Sequence, residues 1–176
     1  MKISEHISFQ EAIKSNTALR RGINNEPNDY QITNMVNIAH NVFEPLRKWV
    51  GGPIKINSMF RCEELNRAIG GSSRSQHCEG RAIDLDDTFG YKTNKEMFDY
   101  IKENLDYDQL IWEFGDDDNP AWVHVSFISF DENRKRTMRA EKINGKRNTD
   151  TYEYRKKAIQ RNRIREDIAW CTSKCC

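Results

Sequence analysis

The sequence contains no apolar run of about 18 residues, which is the length that a helix needs to cross a bilayer. Its mean hydropathy is −0.87 and 31% of its residues are charged, so we expect no membrane span. Residues 1–15 also lack the apolar segment of a secretory signal peptide. We therefore expect a chain that stays in the cytosol or leaves it by a route other than signal-peptide export.

Cysteines are few and irregularly spaced. The chain has 5 of them, an odd number without the spacing of a disulfide framework, so reduced thiols are expected. Three lie close together at the C-terminal end, but no histidine and no second Cys-x-x-Cys pair accompanies them, so they do not predict a metal site. The five are Cys62, Cys78, Cys171, Cys175 and Cys176.

The net charge of +1 hides an uneven distribution along the chain. Residues 134–174 contain 14 Lys and Arg against 5 Asp and Glu, a net charge of +9, whereas residues 1–133 carry a net charge of −8. A basic C-terminal part beside an acidic body is typical of contact with an anionic partner. It is equally compatible with a solvated helical face.

Apolar periodicity and turn residues predict a single domain of mixed helices and strands. The clearest element is an amphipathic helix over residues 31–49, in which Pro45 should introduce a kink or end the regular part. Thr93 and Glu96 form a capping box that begins another helix, ending near Leu105. The remaining predictions are short helices at 8–18 and 61–68, strands at 54–58, 81–85, 109–114 and 122–127, a polar and basic stretch at 134–148, and a basic helix at 151–170.

Two potential metal ligands lie seven residues apart in the Gly- and Ser-containing stretch 58–86. His77 offers an imidazole nitrogen and Asp84 a carboxylate oxygen, and zinc accepts both. His124, in the predicted strand 122–127, offers a third ligand. Three protein ligands leave one coordination position open, as in catalytic zinc sites, whereas structural sites are closed by four. The sequence therefore predicts an α+β fold in which a small antiparallel sheet carries one zinc ion per chain, with helices on one side and an appended basic C-terminal helix.

The motif that contains the first two ligands reads Ser-x-His-x-x-Gly-x-Ala-x-Asp from Ser75 to Asp84. Five further stretches belong with this motif, namely Ser-Met-Phe-Arg at 58–61, Asn66, Gly70-Gly71, Gln-Leu-Ile-Trp-Glu at 109–113 and Trp-Val-His-Val at 122–125. In the motif and these residues, the chain resembles the zinc D-alanyl-D-alanine peptidases of the Hedgehog/DD-peptidase superfamily. Within that superfamily it most resembles the bacterial and phage cell-wall peptidases, including endolysins.

The resemblance covers residues 4–130. It predicts a zinc peptidase domain at 1–130 and a basic helical extension at 131–176 that is not an independent domain.

The resemblance also assigns roles to three further residues. Peptide hydrolysis needs a group that takes a proton from water and hands it to the leaving amine, and Glu113, a cross-strand neighbour of His124 in this prediction, would be that general base. Arg61 would hold or polarise the substrate, and Ser75 would fix the geometry around the metal. A surface ion pair for Arg61 and a turn hydrogen bond for Ser75 are the structural alternatives.

The chain differs from the family pattern in two respects. The loop between Glu113 and His124 is longer than in relatives with Glu-x-x-His, and Trp122 occupies a position that is often a second histidine. Another donor, such as Arg61, must then polarise the substrate carbonyl.

The resemblance implies a zinc metallopeptidase that hydrolyses peptide stems or cross-links of peptidoglycan, as a D,D-carboxypeptidase or endopeptidase, in a phage endolysin or virion-associated lysin. Such a protein would be made in the host cytoplasm and would act at the bacterial cell wall or periplasm after release, or as part of a virion. Its basic C-terminal part would contact an anionic wall polymer, a virion protein or nucleic acid. The alternative is a zinc-fold module with little or no turnover that serves in wall binding or virion structure.

Overall fold

The computed structural model describes residues 1–143 and 146–151. A π-helical turn (Ala39–Phe43) joins the third and fourth helices, and a 3₁₀ turn (Gln76–Glu79) precedes the second strand. Within the described residues, no helix is long and apolar enough to cross a membrane. The helices are α1 (Phe9–Ile13), α2 (Asn16–Arg21), α3 (Asp29–Ile38), α4 (Glu44–Val50), α5 (Glu63–Ala68) and α6 (Asn94–Asn104). The strands are β1 (Lys55–Ser58), β2 (Ala82–Asp86), β3 (Gln109–Glu113), β4 (Trp122–Ser126), β5 (Arg136–Ile143) and β6 (Lys146–Thr151).

The strands form a six-stranded sheet in the order β1-β2-β4-β3-β5-β6. β5 runs parallel to β3, and the other neighbouring pairs are antiparallel. The α+β class predicted from the sequence is therefore confirmed. The predicted small antiparallel sheet is wrong, because the sheet is mixed and extends over two strands that the sequence did not predict.

Asp108, which precedes β3, explains why β5 lies parallel to that strand. Its carboxylate is fully buried and accepts hydrogen bonds from Arg134 Nε at 2.7 Å and from Gln76 Nε2 at 2.9 Å. Its backbone carbonyl accepts a hydrogen bond of 2.9 Å from the N–H of Arg136, the first residue of β5. Because β3 and β5 begin at the same end of the sheet, they run in the same direction.

Within the stretch 134–148, which is polar and basic in the sequence, residues 136–143 thus form β5 and residues 146–148 begin β6. Met138 and Ala140 of β5 are buried against Ile111 of β3, and β5 covers an edge that β3 would otherwise expose. The predicted helix at 151–170 lies outside the described residues except for Thr151, which ends β6. The domain boundary after residue 130 stays a prediction, although strands on its C-terminal side complete the sheet.

The predicted helix at 31–49 forms as α3, the π-helical turn and α4, which follow one another without leaving helical backbone angles. Pro45 gives the physical reason for the interruption, because proline has no N–H to donate and crowds the preceding turn. The N–H of Glu44 bonds instead to the carbonyl of Ala39, five residues back, which is the wider spacing of a π-turn. The buried side of this segment consists of Met35, Ile38, Ala39, Val42, Phe43, Leu46 and Val50.

The capping box predicted at the start of α6 is confirmed. Thr93 Oγ1 accepts a hydrogen bond from the N–H of Glu96 at 3.1 Å, and Glu96 Oε2 accepts one from the N–H of Thr93 at 2.8 Å. Phe98 of α6 packs edge-on against Trp112 of β3, with 5.3 Å between ring centroids. The main core therefore lies between the helices and one face of the sheet, and the residues of the site lie on the opposite face together with the small apolar cluster of Ile111, Met138 and Ala140.

Replacement of Asp108 by asparagine should destabilise the fold, because a neutral amide cannot satisfy Arg134 through both oxygens. Burial raises the pKa of Asp108, but hydrogen bonds from Arg134 and Gln76 lower it below its ordinary value. We expect Asp108→Asn to lose about 2 kcal/mol of unfolding free energy in urea titrations at neutral pH. The exposed Asp118→Asn is the matched control and should change that free energy by less than about 0.5 kcal/mol.

The loss caused by Asp108→Asn should also depend on pH. A carboxyl group whose pKa is lowered in the folded state adds stability above its unfolded pKa, about 3.9, and that contribution disappears as the pH falls through the folded pKa. The difference between the wild type and Asp108→Asn should therefore shrink in acid. A difference that stays constant down to about pH 3 would contradict the assigned role of the ionised carboxylate.

Candidate metal centre

Strand register places three of the predicted site residues on the face of the sheet opposite the main core. Asp84 of β2 and His124 of β4 are direct cross-strand partners. Glu113 of β3 is paired with Trp122, and Ile111 is paired with His124. Because side chains alternate along a strand, Asp84, His124 and Glu113 point to the same side. Glu113 and His124 are therefore diagonal cross-strand neighbours, two residues away from direct pairing, and their side chains share a face.

The 3₁₀ turn Gln76–Glu79 presents His77 to this face, and α3 holds the turn in place. Gln31 Nε2 donates to the carbonyl of Cys78, and Asn34 Nδ2 donates to the carbonyl of Glu79, both at 2.8 Å. Gly80 ends the turn with φ of +71°, and a Cβ there would lie 2.4 Å from the carbonyl oxygen of Gln31. Glycine is thus required both by the left-handed backbone and by the close approach of α3.

The structure brings His77, Asp84 and His124 together as a possible metal-binding group. Asp84 Oδ1 lies 2.8 Å from His124 Nδ1 and 3.2 Å from His77 Nε2, and the two histidine nitrogens are 3.2 Å apart. His77 and Asp84 are buried, and the His124 side chain is only 12% exposed. The three donor atoms therefore form a compact triangle with little access for bulk water.

The chemistry of these donors fits zinc. His77 Nδ1 lies 2.7 Å from the carbonyl oxygen of Met59, which can only accept, so Nδ1 carries the proton and the lone pair of Nε2 faces the triangle. Zinc bonds of about 2.0–2.1 Å in a tetrahedral site place ligand atoms roughly 3.3 Å apart. The observed separations of 2.8–3.2 Å are close to this value.

The charge state of Asp84 also suits a cation. Burial raises the pKa of this carboxyl group, but the charges and hydrogen bonds of His77 and His124 outweigh burial and hold the pKa well below its usual range. Asp84 is therefore ionised near neutral pH, and the ionised form is the one that binds metal.

A second group of potential ligands, Glu5, His6 and Glu44, lies near the N-terminus. His6 Nδ1 contacts Glu44 Oε2 at 2.7 Å, and the N–H of His6 donates to Glu44 Oε1 at 2.9 Å. These contacts tie the N-terminal segment to α4.

Glu113 is buried beside the triangle, with only 2% of its surface exposed. Arg147 of β6 donates from Nη2 to Glu113 Oε1 at 2.5 Å, and among the described residues Oε2 has no hydrogen-bond partner. Burial raises the pKa of Glu113 above its ordinary value, although the charges of Arg147 and His124 oppose the shift. A carboxylate with one free oxygen and a raised pKa can accept a proton from a neighbouring group.

Arg61 and Ser75 flank the site in different ways. The N–H of Arg61 donates to the carbonyl of His77 at 3.2 Å, and burial lowers the pKa of the Arg61 guanidinium while the charges of Asp84 and Glu113 raise it. Arg61 therefore faces the same acidic residues. Ser75 begins the 3₁₀ turn through its backbone, accepting from the N–H of Cys78 at 3.0 Å, and its side chain does not cap the turn.

A cleft of about 520 Å³ lies beyond the C-terminal end of β3. Two of its lining residues are Phe114, which follows Glu113 in the chain, and Trp122, which is paired with Glu113; their rings are 5.2 Å apart. The other lining residues are Gly115, Arg139, Glu141 and Lys142. Trp122 therefore contributes an aromatic wall to the cleft. It occupies the position at which the family resemblance led us to expect a second histidine.

Sequence reasoning missed the residues that support the site from a distance. Gln31 and Asn34 occupy polar positions of an amphipathic helix, where such side chains are ordinary. Arg147 lies in a run of basic residues and carries no motif that separates it from its neighbours. Only strand pairing, which the sequence did not predict for residues 136–151, brings Arg147 to Glu113.

A sequence model of the peptidase M15 family matches residues 5–126. The match includes His77, Asp84, His124 and Glu113, and it ends at the last residue of β4, before β5 and β6. Comparison with curated proteins gave no significant match. M15 peptidases are zinc-dependent metallopeptidases, in agreement with the His/Asp group described above. The chain belongs to the peptidase M15 family.

Proposed function

We propose that this protein is a zinc-dependent peptidase that hydrolyses peptide stems or cross-links of peptidoglycan, as a D,D-carboxypeptidase or endopeptidase. The triangle of His77, Asp84 and His124 within an M15 chain carries this proposal. We further propose a role as a phage endolysin or virion-associated lysin, made in the host cytoplasm and acting at the cell wall after release or in a virion. The resemblance to phage cell-wall peptidases supports that role.

His77, Asp84 and His124 would hold one zinc ion per chain. When bound, the ion supplies Lewis acidity, which makes water acidic near neutral pH and polarises a carbonyl oxygen. Glu113 Oε2 would take a proton from the attacking water as the water oxygen bonds to the carbonyl carbon. Glu113 would return that proton to the amine nitrogen as the C–N bond breaks. Arg61 is half-buried, and the negative charges of Asp84 and Glu113 act on its guanidinium. It would hold the polarised carbonyl oxygen.

A module that keeps the zinc fold with little turnover is the second candidate. Trp122 favours it, because the residue paired with Glu113 is an indole packed on Phe114 and cannot shuttle protons as an imidazole would. The two candidates differ in turnover rather than in metal binding. The rate of the wild type, compared with that of Glu113→Gln, therefore separates them.

Zinc binding should depend on His77. We expect the wild type to hold one equivalent by elemental analysis and His77→Ala to lose it, because removal of one of three ligands breaks the site. His40→Ala, which changes an exposed histidine on the π-helical turn, should keep the full equivalent. A full equivalent of zinc in folded His77→Ala, with folding checked by circular dichroism, would contradict the ligand assignment.

Glu113→Gln should separate catalysis from metal binding. The amide is nearly isosteric with the carboxylate but cannot accept the proton from water, so we expect an unchanged zinc content and a fall in kcat of at least about 10². The measurement is release of amines from purified muropeptides, with Glu103→Gln, a change of an exposed glutamate on α6, as the matched control. Wild-type turnover in Glu113→Gln would move the role of base to another group, with Asp116, Asp117 and Asp118 next in line.

We also propose that the basic C-terminal part binds an anionic wall polymer, a virion protein or nucleic acid. Residues 152–176 contain 7 Lys and Arg against 3 Asp and Glu. A chain that ends at Thr151 keeps β5 and β6, whereas a chain that ends near Asp131 would lose two strands of the sheet.

The chain truncated after Thr151 should keep its rate on a small soluble peptide but should sediment less with purified cell walls at low salt. Electrostatic attachment weakens as salt screens the charges, so the two forms should converge in high salt. Equal sedimentation at low salt would show that residues 152–176 do not attach the enzyme to the wall.

A further inference from the structure

Arg147 connects the C-terminal hairpin to the candidate base. Its Nη2 donates to Glu113 Oε1 at 2.5 Å, and its side chain is 52% exposed whereas that of Glu113 is 2% exposed. The guanidinium therefore reaches from the solvent side over a buried carboxylate. Arg147 lies outside residues 5–126, the part of the chain that matches the family model.

The register of β5 and β6 makes this contact possible. Glu113 is paired with Ala140 of β5, and Ala140 is paired with Thr149 of β6. Arg147 is two residues from Thr149, so its side chain shares the face of Glu113. Ala140 belongs to β5, which lies between β3 and β6. Its side chain is only a methyl group, which leaves room for the long side chain of Arg147 to cross β5.

The electrostatic surroundings give the contact a consequence. The charges that act on Glu113 are those of Arg147 on β6, His124 on β4, Asp84 on β2 and Arg61. A buried carboxylate without a cationic partner tends to take up a proton, and a protonated carboxyl group cannot act as a base. In this group Arg147 is the cation that donates a hydrogen bond directly to Glu113.

The two oxygens of Glu113 are not equivalent. Oε1 accepts from Arg147, whereas Oε2 is buried and has no partner in the described part of the chain. A hydrogen bond to one oxygen fixes the plane of the carboxylate and leaves the other oxygen able to accept a proton.

We propose that Arg147 is a positioning residue of the peptidase reaction, which holds the Glu113 carboxylate through Oε1 and leaves Oε2 available to the substrate water. This inference rests on the proposed peptidase function. It adds that the hairpin β5–β6 supplies part of the machinery, and that a chain ending with the family match would be a defective enzyme.

The test compares Arg147→Gln, Arg147→Lys and Arg136→Gln in the full-length, zinc-loaded protein. Arg147→Gln removes the charge, and we expect kcat to fall on the order of tenfold with little change in KM, as for the loss of one charge-assisted hydrogen bond. Arg147→Lys keeps the charge and should recover most of the rate. Arg136→Gln is the matched control, because Arg136 is exposed on the same hairpin at the opposite end of β5, and it should behave as the wild type.

The pH profile distinguishes positioning from a general loss of stability. Without the positive charge of Arg147, the pKa of Glu113 should rise, so the acidic limb of kcat/KM should move to higher pH in Arg147→Gln and stay near the wild-type position in Arg147→Lys. A hairpin that serves only for packing would lower stability or rate without moving this limb. An unmoved limb, or a rate in Arg147→Gln above that of the wild type, would overturn the proposal; the second result would make the contact inhibitory.

A readout without turnover separates this inference from the proposed function. Carbon NMR of the Glu113 carboxyl, assigned by comparison with Glu113→Gln, should show a higher pKa in metal-free Arg147→Gln than in the metal-free wild type. If the wild type is inactive on peptidoglycan peptides while this shift occurs, the proposed function and the part of Arg147 in it both fail, although the contact stands. If the wild type is active and neither the titration nor the pH limb moves, only the role of Arg147 fails.

Discussion

The pairing of β2 with β4 is the constraint on which the site depends. It sets Asp84 directly opposite His124 and brings Asp84 Oδ1 within 2.8 Å of His124 Nδ1. A shift of one residue in this register would turn one of the two side chains into the apolar core. His77 completes the triangle from a turn whose own geometry depends on Gly80 and on two amide side chains of α3. The main hydrophobic core on the other face of the sheet therefore stabilises the register that the metal site requires.

The same sheet carries the second half of the proposed chemistry. Asp108 joins the starts of β3 and β5, so β5 runs parallel to β3 and β6 follows at the edge. This arrangement covers Glu113 and brings Arg147 to it. The family match ends before β5, so the candidate metal ligands and Glu113 lie within the matched segment, whereas Arg147, which contacts Glu113, lies outside it. The proposed enzyme needs both parts in one sheet.

Local signals in the sequence predicted what depends on local geometry. The capping box at Thr93 and Glu96, the amphipathic periodicity around Met35 and Leu46, and the spacing of His77 and Asp84 each correspond to an element or a cluster in the structure. The parallel placement of β5 was not predictable in this way, because it depends on the pairing of Asp108 with Arg134, residues 26 positions apart. β5 also lacks the apolar alternation that predicts a strand, because one of its buried positions is Arg139, whose charge is satisfied by ion pairs with Asp117 and Glu141. For the same reason the contact between Arg147 and Glu113, 34 positions apart, carried no sequence signal.

Mass spectrometry of muropeptides, after digestion of purified cell walls by the zinc-loaded protein, is the most direct test of whether the proposed metal centre hydrolyses peptide bonds of peptidoglycan. We expect stem peptides that have lost a terminal residue, or cross-linked dimers converted to monomers, each cut adding one water, with intact glycan strands. Metal-free protein and Glu113→Gln should leave the muropeptide profile unchanged. An unchanged profile after digestion by the zinc-loaded wild type, or cleavage confined to glycosidic bonds, would contradict the proposed peptidase function.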